Sequence, residues 1–217
     1  MRIGLFKKRR SESGFSIIEL VIVLVIIAIL SAISLPYIYS YKKLYKSEDQ
    51  SLKVMDLMRE AAQLALTRRR TMRLEIDLTA NALLIIDENG AAPNTLIKSI
   101  PLELPREVRM DIIPAGVVKP NPPNYTDAAY SADATGHLVG GATVVGNTVW
   151  AVRFKSDGSA VNAAGIPISA NIYVWPPVTV GSTTPRNTKE IRAITMFGGS
   201  GAIRYWKYDG TTFVAYQ

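Results

Sequence analysis

The sequence predicts an α+β fold in which one long N-terminal helix packs on a mainly antiparallel β-sheet head. Three features support this prediction. Residues 15–35 form an almost continuous apolar run, apolar residues continue at helical spacing to about Thr67, and after Arg70 the pattern changes to the alternation of strands. We therefore expect a helix over residues 15–67 and a head over residues 68–217, preceded by a short leader.

The leader, residues 1–14, is basic, with five Lys/Arg and one Glu. It ends in Ser-Glu-Ser-Gly14, and the apolar run begins at the next residue, Phe15. An ordinary secretory signal places its apolar region before the cleavage site, whereas here the order is inverted. Cleavage between Gly14 and Phe15 would therefore remove the charges and keep the apolar helix.

The apolar run is long enough to cross a membrane, since a span needs about 20 mostly apolar residues. Lys and Arg on its N-terminal side predict that this end stays in the cytoplasm. Everything after Leu35 is then expected on the outer face of the membrane.

Glu19 is the only carboxylate within this run. A carboxylate in a membrane helix is costly and by default indicates a partner or a pathway. After cleavage Glu19 would be the fifth residue of the mature chain, about one helical turn from the new α-amino group. Two interpretations are open: the cationic N-terminus of a neighbouring subunit neutralises Glu19, or Glu19 lies at headgroup depth and is solvated.

The run RRSESGFSIIELVIVLVIIAILSAISLP resembles the leader and N-terminal helix of type IV pilins and type II secretion pseudopilins. The resemblance implies cleavage after Gly14 by a prepilin peptidase and N-methylation of Phe15. It also implies an assembly role for Glu19 and a helix kink at Pro36. The implied partners are other pilin or pseudopilin subunits and an assembly platform. The implied location is the bacterial inner membrane, with the head in the periplasm, before assembly into a pilus or pseudopilus.

Pro36 either ends the helix or only bends it. From Tyr37 to about Thr67 there is no Gly and no further Pro, which predicts one long, kinked helix starting at about Ser16. The residues expected to dock on the sheet recur at helical spacing. They are Leu44, Leu52, Met55, Met58, Ala62 and Leu66.

Strands in the head are predicted where short apolar or alternating runs lie between turn residues. They are expected at residues 72–78, 83–86, 98–104, 108–113, 149–154, 171–175, 190–197, 202–208 and 212–216. The run at 83–86 is expected to end at a turn, Asn89-Gly90. The composition of residues 114–148 shifts to Pro, Asn, Gly, Ala and Ser, which predicts an insertion with little structure of its own. This insertion and a second loop at 176–189 are the expected contact surfaces.

The head resembles the GspH/FimT group of minor pseudopilins and minor pilins in two stretches, Val152–Ser159 and Ile194–Tyr205. That resemblance implies a pilin-like helix packed on two β-sheets and a position near the filament tip. Some FimT-type subunits bind DNA through a Gly-Arg-x-Arg segment. Here the segment reads Gly-Ala-Ile-Arg, so only Gly201 and Arg204 match, and Lys207 on the same predicted strand is a third candidate DNA contact.

Little in the sequence indicates catalysis. The chain has no cysteine, which excludes disulfides and thiolate metal sites. Its single histidine, His137, lies in the predicted insertion and is expected to be solvated and poorly ordered. No cluster has zinc-ligand spacing, and Gly198-Gly199-Ser200-Gly201 lacks the Lys-Ser/Thr of a P-loop. We therefore expect no enzyme activity, cofactor, bound metal or small-molecule substrate.

The net charge of +7 does not by itself predict a nucleic-acid partner, because it belongs to the leader and the helix. Residues 74–217 contain eleven Lys/Arg and twelve Asp/Glu. The favoured function is a structural minor subunit of a type II secretion pseudopilus or a type IV pilus. The alternatives are a DNA-binding minor pilin acting in DNA uptake and a membrane-anchored hydrolase, which would require a buried polar cluster in the head.

Overall fold

The computed structural model describes residues 15–88 and 94–216 of the chain. Its contacts divide the chain into two compact units, Met1–Lys42 and Lys43–Gln217. Within the described residues there is one α-helix, α1 (Ile17–Arg68), one 3-10 turn (Thr188–Glu190) and thirteen strands. In chain order the strands are β1 Met72–Asp77, β2 Ala82–Asp87, β3 Thr95–Pro101, β4 Thr126–Asp127, β5 Ser131–Ala132, β6 His137–Val139, β7 Ala142–Val144, β8 Thr148–Phe154, β9 Ala160–Val161, β10 Ala170–Val174, β11 Arg192–Phe197, β12 Ala202–Tyr208 and β13 Phe213–Tyr216. The predicted α+β class is confirmed.

In the first unit the helix segment Ile17–Leu35 is almost wholly apolar, and Glu19 is its only charged residue. Ser16 Oγ accepts a hydrogen bond from Ile18 N (3.3 Å), which satisfies one of the free donors at the helix start. Ile17–Leu35 has a mean hydropathy of 3.0 with none of the segment buried, so it is long and apolar enough to cross a membrane. Helical structure continues through Pro36, as predicted. The side chain of Pro36 lies outside the described residues, and the kink stays a prediction.

The helix in the second unit buries one face. That face contains Ser47, Gln50, Ser51, Val54, Met55, Leu57, Met58, Ala61 and Ala65. The predicted stripe was partly wrong: Met55 and Met58 are buried and Ala62 packs against the core, but Leu52 and Leu66 are exposed. The side chain of Leu44 lies outside the described residues. The true stripe was missed because polar and small residues form much of it.

The polar members of this face are paired with the head. Ser47 Oγ donates to Glu190 O (2.8 Å), and Gln50 Oε1 accepts from Glu103 N (2.8 Å). These bonds offset the cost of burying the groups, and the small serine lets the backbones approach closely.

The strands form two sheets around this helix face. The first sheet has the order β5-β8-β1-β2-β3-β6-β7, with β9 also paired to β8, and the second has the order β13-β12-β11-β10-β4. Apolar residues of both sheets share one core with α1, including Leu74 on β1, Val152 on β8 and Ile194 on β11. The helix packs on both sheets, which matches the architecture that the GspH/FimT resemblance implies.

Most of the predicted strands are confirmed within one or two residues, but β3 both begins and ends three residues earlier than predicted. The strand predicted at 108–113 was wrong. Its backbone forms a single bridge, in which Arg109 N donates to Trp175 O (2.7 Å) and Trp175 N donates to Arg109 O (3.0 Å). Val108 and Met110 are nevertheless buried in the main core. The apolar residues that suggested a strand are therefore explained by core packing and not by pairing in a sheet. The predicted Asn89-Gly90 turn lies outside the described residues.

The insertion at 114–148 is more ordered than predicted. It contains β4, β5, β6 and β7, which are only two or three residues long and leave little alternation to read in the sequence. Because β5 pairs with β8 and β6 pairs with β3, residues 133–136 cross the outer face of the first sheet, opposite the helix. We call residues 133–137 the strap. His137 in the strap is buried, with 2% of its surface exposed. The expectation of a solvated, poorly ordered histidine was therefore wrong.

A substitution in the helix face tests the shared core. Leu57→Ala removes a side chain that is 1% exposed, so we expect the free energy of unfolding to fall by about 2–5 kcal/mol. Leu66→Ala on the same helix is the matched control, since Leu66 is 49% exposed, and it should cost less than about 1 kcal/mol. Denaturant unfolding of the detergent-solubilised chain, followed by tryptophan fluorescence, measures both. Equal losses would contradict the assigned buried face.

Candidate assembly segment and head surface

The N-terminal candidate residues lie at the start of α1. Phe15 precedes the helix and is 77% exposed, and Glu19 is exposed in the first turn. A carboxylate in the first turn interacts favourably with the helix dipole. Gly14 lies outside the described residues, so the predicted cleavage site is described only on its Phe15 side.

The comparison with protein families matches this segment. Residues 9–35 match the model of the prokaryotic N-terminal methylation motif. The chain therefore carries a type IV prepilin-like signal. That signal marks a pilin-like precursor that prepilin peptidase processes and that assembles with other pilins, and it agrees with membrane anchoring through the apolar helix. The match covers the leader and the apolar segment only, and neither a curated protein nor a solved structure gave a significant match to the chain.

Gly201, a candidate DNA contact, has a structural reason to be glycine. Its φ is +64°, and a Cβ at this position would lie 2.6 Å from Gly158 O. Both the left-handed backbone and the close approach favour glycine. The turn between β11 and β12 therefore explains this residue without a ligand.

The two candidate cations on β12 lie on opposite faces of the second sheet. Arg204 is exposed, and its guanidinium lies over the Trp206 ring, 5.5 Å from the centroid. Lys207 points to the other face, where Nζ lies 2.7 Å from Glu48 Oε1 and 4.1 Å from the centroid of the Tyr216 ring. The structure therefore does not bring Arg204 and Lys207 into one patch, and DNA contact by these residues stays a prediction.

Neighbouring cations are also engaged within the head. Arg192 Nη2 lies 3.2 Å from Glu48 Oε2, and Arg186 Nη2 lies 2.5 Å from Glu190 Oε2. Arg192 pairs with Lys207 in the register of β11 and β12, so both of these cations are bound to Glu48 on the face opposite Arg204. A phosphate backbone would have to compete with these ion pairs.

The sequence did not reveal a buried polar cluster under the strap. Its members are Arg73, Glu75, Glu88, Asp133, His137 and Arg153, and we call it the outer-face cluster. Arg73 Nε lies 3.0 Å from Glu75 Oε1, and Arg153 is bidentate to Glu88 at 2.6 and 2.9 Å. The residues come from three separate regions of the chain, 73–88, 133–137 and 153, so no spacing motif joins them.

Burial shifts the pKa values of Glu75 and His137 in this cluster. It raises the pKa of Glu75 to about 7, against the lowering effect of Arg73. It also lowers the pKa of His137, assisted by the charge of Arg73. A hydrolase would need such a buried cluster, but at 2% exposure the His137 ring has almost no surface with which to meet a substrate.

Glu48 joins the helix to the second sheet through Lys207 and Arg192. Partial burial alone would raise the pKa of Glu48, but hydrogen bonds from Lys207 and Arg192 outweigh it and lower the pKa. Because the pKa is lower in the folded chain, the stabilisation is present above the unfolded value of about 4.3 and is lost as pH falls through the folded pKa.

Glu48→Gln tests this contact. At pH 7 we expect the free energy of unfolding to fall by about 1 kcal/mol, a modest loss because the pair is partly solvated. The difference from the unsubstituted chain should shrink as the pH falls below about 4. Glu60→Gln is the control, since its ion pair with Lys98 is well exposed. A deficit that is unchanged at pH 3 would contradict an electrostatic origin.

Proposed function

We propose that this chain is a structural, non-enzymatic minor subunit of a type II secretion pseudopilus or a type IV pilus, of the GspH/FimT type and positioned near the filament tip. The observation that carries the proposal is the pairing of the methylation motif at residues 9–35 with an apolar segment that is wholly exposed in the chain. Such a surface needs lipid before assembly and neighbouring helices after it.

In this proposal the helix has two successive environments. Prepilin peptidase cuts between Gly14 and Phe15 at the cytoplasmic face of the inner membrane, and Phe15 is N-methylated. The apolar segment Ile17–Leu35 holds the subunit in the membrane until the assembly platform transfers it into a filament. The head then lies in the periplasm and is carried by the same helix.

Glu19 sets the position of the subunit in the filament. Cleavage creates a cationic α-amino group on Phe15, and Glu19 is exposed in the first turn of the helix. An unpaired carboxylate among packed apolar helices is costly, so a neighbour's α-amino group that reaches Glu19 is favoured. Only one axial stagger of two parallel helices places these groups together, which gives the pair a registering role.

The head supports a role in contacts at the tip. Its exposed apolar side chains include Phe197 and, in the loop at 176–189, Val178 and Val180 at 56% and 74% exposure. Exposed apolar residues on loops held by a rigid scaffold are typical of protein contact surfaces. DNA uptake is the less favoured function, because Lys207 and Arg192 are committed to Glu48.

The cleavage site has a direct test. Protein extracted from membranes of a strain with prepilin peptidase should begin with N-methylated Phe15, as measured by N-terminal sequencing and mass spectrometry. In a peptidase-deficient strain the leader should remain, because the basic residues are removed only by this cut. Any other mature N-terminus would refute the assignment of Gly14 and Phe15.

The registering role of Glu19 has a separate test. Glu19→Ala should leave cleavage unchanged but reduce incorporation into sheared filaments by about tenfold or more, because the neighbour's α-amino group loses its partner. Asp56→Ala is the matched control, since Asp56 is an exposed acid on the same helix. Incorporation of the Glu19 variant at the control level would exclude the pairing and leave a solvated Glu19. Secretion and piliation assays on a deletion strain distinguish the pseudopilus from the pilus.

A further inference from the structure

The outer face of β1 is charged and yet fully covered. Met72, Leu74 and Ile76 point into the main core, so the alternate residues Arg73, Glu75 and Asp77 face the other way. All three are 0% exposed. The strap covers them, and Arg73 Nη2 donates to Gly136 O at 2.8 Å.

Two ligand-type groups in this cluster lack hydrogen-bond partners. The two carboxylate oxygens of Glu75 make no hydrogen bond, and nor does the Nδ1 atom of His137. The two side chains are nevertheless only 0% and 3% exposed. Glu75 Oε2 and His137 Nδ1 face each other at 3.6 Å. Glu75 Oε1 has Arg73 Nε as an ion-pair partner at 3.0 Å, which leaves Glu75 Oε2 and His137 Nδ1 as the atoms to be satisfied. Buried polar atoms are rarely left unpaired, and one bridging cation or proton would satisfy both of them.

The charges around these atoms favour a cation. The groups that act on Glu75 are the carboxylates of Asp77, Glu88 and Asp133 and the guanidinium of Arg73. With Arg153 bound to Glu88, the described surroundings hold four carboxylates and two guanidinium groups. One divalent ion would balance this excess of negative charge.

We propose that Glu75, Asp133 and His137 form a structural zinc site that fastens the strap to β1. One ligand atom from each residue can be chosen so that all three lie within 4.8 Å of one another. Zinc bonds to imidazole nitrogen and carboxylate oxygen are about 2.0–2.2 Å long, so small side-chain rotations would close the site. The combination of imidazole and carboxylates suits zinc better than Mg²⁺ or Ca²⁺, which prefer oxygen ligands.

Arg73 and the zinc ion would occupy different sides of the same carboxylate. Arg73 Nε lies near Glu75 Oε1, whereas His137 faces Glu75 Oε2. Asp133 already orients the strap, because its two oxygens accept hydrogen bonds from Thr135 N (2.9 Å) and Gly136 N (3.1 Å). Hydrogen bonds of this kind commonly hold ligating carboxylates in place.

The site has a structural character and an access route. A groove of about 640 Å³ is lined by Asp133, Arg73 and Thr135, among other residues, and so gives access to one of the three proposed ligands, Asp133. Zinc would link a short loop segment to a central strand in a chain that has no cysteine for a disulfide. Glu75, Asp133 and His137 would supply three of the four positions that zinc usually has, and metal binding by these buried residues would contribute to folding stability.

The composition of the chain gives the test an unusually clean reporter. His137 is the only histidine and there is no cysteine. The imidazole of His137 is therefore the only side chain of the two types that bind zinc most strongly. The full chain in detergent, made without a polyhistidine tag and stripped with EDTA, is titrated with Zn²⁺ while the ¹⁵N resonances of the histidine are recorded. We expect one zinc per chain, shifted His137 resonances and an unfolding temperature several degrees higher. Mg²⁺ should leave the resonances unchanged.

Variants assign the ligands. His137→Gln and Glu75→Gln should each weaken zinc binding at least about tenfold, whereas Glu60→Gln, an exposed acid outside the cluster, should not. If a ligand variant does not fold, the response of the His137 resonances to Zn²⁺ in the unsubstituted chain decides whether the zinc site exists. Resonances that move with pH but not with excess Zn²⁺ would mean that a shared proton alone bridges Glu75 and His137, which overturns the proposal. Unchanged zinc stoichiometry in folded His137→Gln would overturn it as well.

Discussion

The head depends on one buried face of α1, which runs from Ser47 to Ala65. Strand ladders among the described residues leave the two sheets separate. Side chains of both sheets meet in the core that they share with this helix face, around Val54, Leu57 and Met58. Small residues such as Ala61 and Ala65 keep the backbone close to the sheets, and burial of the apolar area supplies the main driving force. The helix is therefore the common layer of the head.

The two parts of the helix suit two different environments. Ile17–Leu35 has apolar residues on every side and buries none of them, whereas the later turns bury one face and expose the other. An all-apolar helix is stable in lipid or among other helices, and a one-sided helix is stable on a sheet. Backbone continuity through Pro36 lets one element serve both purposes.

How much the sequence could predict differed between the two parts of the chain. The prepilin-like segment was predictable because charge, cleavage residue, carboxylate and apolar length lie side by side. Long strands such as β1 and β12 were predictable because alternation extends over six or seven residues. The short strands of the insertion and the partnership of Glu75 with His137 were not predictable. Two-residue strands carry no period, and the sequence does not show which loop will cover which face.

Hydrogen bonding to the buried charges of β1 explains why the insertion covers this face. Alternation in β1 is typical of a strand with one solvated face, yet Arg73, Glu75 and Asp77 are buried. Burying these charges costs several kcal/mol each unless partners replace water. The insertion supplies such partners, since Gly136 O accepts from Arg73 and Asn147 Nδ2 donates to Asp77 Oδ2 (2.6 Å). An apolar cover would leave the same charges unpaired. The polar face of β1 therefore specifies the insertion as its cover and makes those residues part of the fold.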